Sequence, residues 1–199
     1  MKCNFCEENS VYKCSICGKT LCPEHVRLRT VCPSCSKKRK VRYKINKATS
    51  SKEEVTIRKL VKRFWGEEEQ LAFDRKFIVS KLPAYTAKST KDVLGFVSFT
   101  ETADAVLIIA LGVLPQYQNS GIGKGLVEKA EAEAKKLQKK RLLVSTSNDD
   151  LPALAFYQSL GFQIYEIKPN AIAEKHGKVL DGISGLPIRD ELRLQKNLS

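Results

Sequence analysis

The residues best equipped for chemistry fall into two groups. The first is a series of pairs: Cys3-x2-Cys6, Cys14-x2-Cys17, Cys22-x2-His25 and Cys32-x2-Cys35. Identical internal spacing gives eight ligands, and a closed tetrahedral zinc site takes four Cys or His, so eight make two ions. Such sites are structural, because full coordination leaves no position for substrate or water. The second group is Gln118, Asn119, Ser120, Gly121, Ile122, Gly123 and Lys124. An apolar run over residues 105–114 precedes it, and an amphipathic pattern over residues 122–137 follows. Strand, glycine turn and helix in succession present backbone N–H groups at a helix N-terminus, where the dipole favours an anion such as pyrophosphate. The loop fails as a Walker A motif, since Gln118 and Gly125 stand where Gly and Ser/Thr are needed. It fails as a dinucleotide fingerprint at Leu126.

The loop does match the pattern Gln/Arg-x-x-Gly-x-Gly/Ala. In this it resembles the acetyl-CoA loop of the general N-acetyltransferase (GNAT) superfamily. Further on, Asn148, Ala153, Ala155-Phe156-Tyr157 and Gly161-Phe162 resemble the superfamily's Asn…Ala…Phe-Tyr…Gly-Phe segment. The resemblance covers residues 54–199. It implies an acetyl-CoA-dependent N-acetyltransferase whose mixed, mostly antiparallel sheet is flanked by helices, in the α+β or α/β class.

The resemblance also implies roles. Residues Gln118 to Lys124 would hold the pyrophosphate through their N–H groups, with Lys124 adding charge or simply solvated. Leu111 and Val113 would pair along the pantetheine, and an N–H near Val113 would stabilise the oxyanion. Asn148 would bond the cofactor or cap a helix. Tyr157 would protonate the leaving thiolate, unless it is a core tyrosine. Many members carry a carboxylate base on the central strand, whereas residues 106–114 contain none. Glu101, Asp104 and Glu191 remain as candidates. Deprotonating a lysine at pH 7 costs about 4–5 kcal/mol, so loss through water or an acceptor of lower pKa, such as a protein N-terminus, is the alternative.

The supporting elements can be read around these sites. The 199 residues suffice for one ordinary domain and a small one. No apolar stretch reaches the roughly 18 residues of a membrane span, and the N-terminus lacks a signal-peptide core. The expected compartment is therefore the reducing cytosol, where cysteines crowded into residues 1–35 point to metal rather than disulfides. Residues 1–36 form the zinc module, too small to fold without metal. An interleaved pairing is favoured by the short gap between Cys17 and Cys22. Cys3, Cys6, Cys22 and His25 would hold one ion, and Cys14, Cys17, Cys32 and Cys35 the other. This looks like the B-box-like cross-brace fingers, which imply a protein partner; sequential pairing is the alternative.

Net charge is +13, and residues 1–50 carry twelve Lys/Arg against three Asp/Glu. Residues 37–53 read as a basic linker. Residues 37–47 could track nucleic-acid phosphates with Tyr43 stacking, or serve as a solvated spacer. Residues 37–41 also resemble a nuclear localisation signal, relevant only in a source with a nucleus. Beyond the linker, a helical pattern covers residues 52–73, with Ile57, Leu60, Val61, Phe64 and Trp65 on its core face. Strands are expected at residues 77–79, 85–87, 93–100, 105–114, 141–145, 162–167 and 189–194. A helix begins after Asn148, Asp149 and Asp150, and ends at Gly161.

The leading expectation is a transferase whose zinc module recruits a macromolecular amine acceptor, most simply a protein. An acetyl-CoA-binding adaptor without turnover and a nucleic-acid-binding zinc protein are the alternatives.

Overall fold

A computed structural model describes residues 1–14, 16–26, 31–36, 41–90, 92–182 and 186–198. Short elements frame the amino-terminal cysteines: β1 (Tyr12–Lys13) pairs with β2 (Thr20–Leu21), and α1 (Pro33–Ser36) follows. Leu21, Val31, Cys14, Cys32 and Cys35 make its small buried cluster.

The main sheet begins inside the expected linker. β3 (Lys44–Lys47) pairs antiparallel with β6 (Ala84–Lys88) and forms a sheet edge. Val41 and Tyr43, just before it, and Ile45, on it, alternate and pack partly buried against the main core. The expected spacer is therefore corrected over these residues, while residues 37–40 lie outside the described ones. Alternation of Val, Tyr and Ile among basic residues is a half-buried strand signal, hidden here by the charge run.

α2 (Ser51–Trp65) follows, opened by a capping box between Ser50 and Glu53. It stops at Gly66, whose φ of 79° lets the chain turn left-handed while its N–H caps the Lys62 carbonyl. The helical reading to residue 73 was thus too long. Residues beyond Gly66 form a hairpin, β4 (Glu69–Ala72) with β5 (Arg75–Ile78), through a tight turn at Phe73 and Asp74. Ile57, Leu60 and Val61 are buried as expected, but Trp65 is 40% exposed, its ring edge-on to Phe96 rather than in the core.

β6 and β7 (Val93–Glu101) form the anticipated hairpin, and β7 pairs with β8 (Ala105–Val113). Then come α3 (Ile122–Lys136), β9 (Arg141–Ser147), α4 (Leu151–Ser159) and β10 (Gln163–Lys168). α5 (Ala171–His176) and a small hairpin of β11 (Leu180–Asp181) with β12 (Pro187–Ile188) precede β13 (Glu191–Asn197). Sheet order is β10-β13-β9-β8-β7-β6-β3, and among the described residues only the β8–β9 pair is parallel. The mixed, mostly antiparallel architecture is as expected.

Alternate residues face opposite sides of the sheet. Val106, Ile108, Leu142 and Val144 face α3 and α4. Ala105, Leu107 and Leu143 face the other way, with Phe73, and α2 covers the same sheet around Phe96 and Ala110. α3 buries Ile122, Leu126 and Val127, each worth about 1.5–3 kcal/mol. Its exposed Lys124–Glu128 pair at 3.8 Å adds at most about 0.5 kcal/mol. The apolar stripe therefore fixes the helix.

Glu53 ties α2 to the sheet: its carboxylate accepts from Thr86 Oγ1 at 3.1 Å and lies 2.6 Å from Lys88 Nζ. Burial alone would raise its pKa, but bonds from Lys88, Thr49 and Ser50 outweigh that and hold it at about 2, against 4.5 ordinarily. Such a depressed carboxylate contributes fully above its unfolded pKa and loses its contribution as pH falls through the folded one. Glu53→Ala should therefore cost about 2–3 kcal/mol at pH 7. Urea unfolding at stepped pH should show the deficit closing between pH 4.5 and about 2.

Candidate active site

The central feature is a parting of strands. β8 and β9 pair from Ala105–Arg141 to Ile108–Val144, and there the ladder stops. β8 continues to Val113 beside β7, and β9 continues to Ser147 beside β13. A wedge-shaped gap opens between them. At its apex β8 carries a bulge: Ser98 pairs with Ala110, Phe99 with Ile108, and Ile109 is left over. Bulges commonly re-aim a strand next to a site.

The register fixes which backbone groups face the gap. Leu114 N–H donates to the Leu94 carbonyl at 2.9 Å, so 96–112 and 98–110 are also hydrogen-bonded pairs. Alternate residues direct their backbone groups to opposite edges. Leu111 and Val113 therefore turn N–H and C=O away from β7 and into the gap. The Val113 carbonyl already receives Gln118 Nε2 there at 3.3 Å.

The glycine loop stands at the mouth of the gap. A 3-10 turn, Pro115–Tyr117, leads from β8 into it, and Gly121 begins α3 with φ 86°. A side chain at Gly121 would strain that left-handed backbone. Gly125 N–H closes the first helical bond onto the Gly121 carbonyl at 3.0 Å. Among the described residues, the N–H groups of Gly121, Ile122, Gly123 and Lys124 have no partner in the protein. Four free donors at a helix N-terminus make a cradle for an anion. Gly125 serves packing: a Cβ there would come within 2.9 Å of Ile45 on β3. Ser120 Oγ bonds the Tyr117 carbonyl at 2.5 Å, and the Asn119 side chain donates to the Cys35 carbonyl at 2.7 Å. Lys124 points to Glu128 from the exposed face.

Tyr157 lies on α4, 6% exposed, in the same core cluster as Ile122 and Leu126, with Leu111 and Val113 at its border. Burial, and to a lesser degree the Asp150 carboxylate, push its hydroxyl well above the ordinary tyrosine range. It is therefore protonated at neutral pH.

Asn148 does not cap α4. The cap of α4 is Asp150, whose carboxylate accepts from Ala153 N–H at 2.9 Å. The Asn148 amide instead bridges to the segment entering β13. Its Nδ2 donates to the Pro187 carbonyl at 2.8 Å, and its Oδ1 accepts from Arg189 and Asp190 N–H at 2.9 and 3.0 Å.

The three candidate bases are all engaged. Glu101 and Asp104 sit at the far end of β8 from the gap, 3.2 Å from Lys139 and 2.6 Å from Arg141 respectively. Five residues of strand, about 17 Å, separate Asp104 from the bulge. Glu191 is buried on β13, opposite Ser147, and accepts from Phe73 N–H at 2.9 Å and from Arg193 at 2.8 Å. Arg193 also meets Asp74 at 2.8 Å and Glu166 at 3.0 Å. This cluster braces the β4–β5 turn against the sheet. It was not apparent in the sequence, where Glu191 and Arg193 show only as alternate residues of a strand.

The amino-terminal ligand atoms gather in the interleaved sets. Those of Cys3, Cys6, Cys22 and His25 lie within 4.8 Å of one another, as do those of Cys14, Cys17, Cys32 and Cys35. Separations of 3.6 Å for Cys6–Cys22 and 3.8 Å for Cys17–Cys32 exclude disulfides at about 2.05 Å. They match the S–S edge of about 3.8 Å in a tetrahedron with 2.3 Å zinc–sulfur bonds. Both sets could hold a metal ion.

Residues 53–162 match the model of the acetyltransferase (GNAT) family. The uncharacterized protein YxbD of Bacillus subtilis is 31% identical over 142 residues, 68% of this chain and 87% of the relative. The structure of a Bacillus subtilis acetyltransferase in complex with CoA aligns with a TM-score of 0.61 at 22% identity, covering 79% of this chain and all of that one. The ribosomal-protein-S18-alanine N-acetyltransferase of Escherichia coli aligns at 0.57 and 18%, covering 79% and 95%. The gap between the parted parallel strands and the anion cradle at its mouth lie within or beside the matched residues. The chain belongs to the GNAT family and is an acyltransferase.

Asn148→Ala should release the segment it holds, at a cost of about 1–3 kcal/mol. Hydrogen exchange should quicken at the Arg189 and Asp190 amides while the β7–β8 ladder stays protected.

Proposed function

We propose that the chain is an acetyl-CoA-dependent N-acetyltransferase acting on a protein amine, with residues 1–36 a two-zinc module that recruits the acceptor. The observation that carries the transferase reading is the row of four free N–H groups beside the gap. A pyrophosphate suits that row in charge and in donors. An extended pantetheine arm suits Leu111 and Val113, whose backbone groups face the gap.

Bound there, acetyl-CoA would supply the acetyl group as a thioester. A backbone N–H on the gap edge near Val113 would stabilise the developing oxyanion. The Tyr157 hydroxyl, kept protonated by burial, would give its proton to the leaving thiolate as the N–C bond forms and the C–S bond breaks. The incoming amine loses its own proton to water, since the three candidate carboxylates are engaged. That favours an acceptor of low pKa. An α-amine near 7.7–8.0 needs about 1 kcal/mol to be neutral at pH 7, against about 4–5 for lysine. The Escherichia coli neighbour, an acetyltransferase of a ribosomal-protein alanine, supports a protein acceptor.

In the module, Cys3, Cys6, Cys22 and His25 would hold one zinc, and Cys14, Cys17, Cys32 and Cys35 the second. The thiol separations support this, as does a core too small to fold such a segment unaided. A catalytically weak acetyl-CoA-binding adaptor is the second reading, favoured by the lack of a free base among the candidates.

Turnover on peptides separates the two readings. The zinc-loaded protein should acetylate peptides with a free α-amine and spare those with only lysine amines. Tyr157→Phe should lower kcat about 100-fold or more with CoA affinity unchanged. Undiminished turnover would make Tyr157 a core residue, and acetylation confined to lysine would overturn the α-amine acceptor. Metal analysis should find two zinc ions per chain, and their chelation should unfold residues 1–36.

A further inference from the structure

The loop beneath the anion cradle is tied at three places. Gln118 holds the Val113 carbonyl, Ser120 holds the Tyr117 carbonyl, and Asn119 holds the Cys35 carbonyl. The first two ties stay within the strand-to-helix connection. The third leaves it and reaches the last ligand of the all-cysteine set, 84 residues away in sequence.

Both ends of this bond are specific. Cys35 is 3% exposed, and its own N–H donates to Cys32 Sγ at 3.3 Å. Its carbonyl thus sits on a turn shaped by the metal-ligand set. Asn119 adopts a left-handed φ of 61°, which asparagine tolerates better than most residues. With its side chain turned to Cys35, Asn119 leaves the following N–H groups to the cradle. A short cysteine-rich segment keeps such a turn only while metal holds it. The Asn119 side chain thus joins the cofactor loop to the all-cysteine set.

We propose that Asn119 is a positioning residue that couples the Cys14–Cys17–Cys32–Cys35 zinc site to acetyl-CoA affinity. Zinc at that site pre-organises the cofactor loop, and cofactor in the loop retards loss of that zinc. The inference rests on the acetyl-CoA and zinc readings above. The coupling is reciprocal by linkage, so it can be read from either ligand.

The test uses the full chain, wild type and Asn119→Gly, titrated with CoA in calorimetry with zinc loaded and after chelation. Glycine keeps the left-handed backbone and removes the side-chain bond, while also loosening the loop, so the comparison with and without zinc carries the coupling. Chelation should weaken CoA binding to wild type about 3- to 10-fold, the range of one lost hydrogen bond. Zinc-loaded Asn119→Gly should be weakened by a similar factor, and chelation should cost it nothing more. Saturating CoA should slow transfer of one of the two zinc ions to a colorimetric chelator in wild type, and in the variant it should not. Zinc-loaded Asn119→Gly binding CoA as tightly as wild type would overturn the coupling, as would chelation that weakens both proteins equally or tightens either. Absence of CoA binding to zinc-loaded wild type would remove the cofactor reading itself. Should the chelated chain aggregate, CoA retardation of zinc transfer in wild type and its absence in the variant decide the matter.

Discussion

Two parallel strands that part after four residue pairs are the constraint on which the rest of this molecule depends. Backbone N–H and C=O groups removed from both ladder and water cost about 1–3 kcal/mol each. The open edge at Leu111 and Val113 therefore needs either solvent or an extended partner. Everything nearby sustains that opening. The bulge at Ile109 turns β8 away, β13 fills the far side of β9, and α3 starts where the gap meets the surface. The anion cradle and the gap are thus two ends of one device, and a ligand with a charged head and an extended arm satisfies both.

The same economy of backbone groups explains why the last stretch before β13 is held so firmly. Asn148 binds three backbone groups between residues 187 and 190, and Glu191 with Arg193 fastens the β4–β5 turn. These polar contacts hold segments that contribute little to the apolar core. They also engage the Glu191 carboxylate, one of the candidate bases.

Much of this was legible in the sequence for identifiable reasons. The apolar run at β8, the stripe of α3 and the turn at Gly121 each rest on strong local rules. Eight ligands in four equal pairs limit the metal arrangement to a few choices, and the short step from Cys17 to Cys22 favours the interleaved one. Other features were hidden because they depend on contacts distant in sequence. β3 was masked by the basic residues around Val41, Tyr43 and Ile45. The helical periodicity of α2 ran on past Gly66, which alone signalled its end. The α4 cap fell to Asp150 because the helix starts at Leu151, and Asn148 is engaged instead by a segment some forty residues later. Trp65 was drawn to the core by its period and left 40% exposed at the helix end. No local pattern could show that the β8–β9 ladder stops at Ile108, since register belongs to two strands at once.

The most direct measurement is an amide NMR titration of isotope-labelled, zinc-loaded protein with CoA. The account predicts that the largest shifts fall at Gly121, Ile122, Gly123 and Lys124, and at Leu111 and Val113 along the gap. The β3–β6 and β10–β13 ladders should stay near their free positions. Saturable CoA binding whose shifts lie elsewhere, leaving the α3 N-terminus and the gap unmoved, would contradict it.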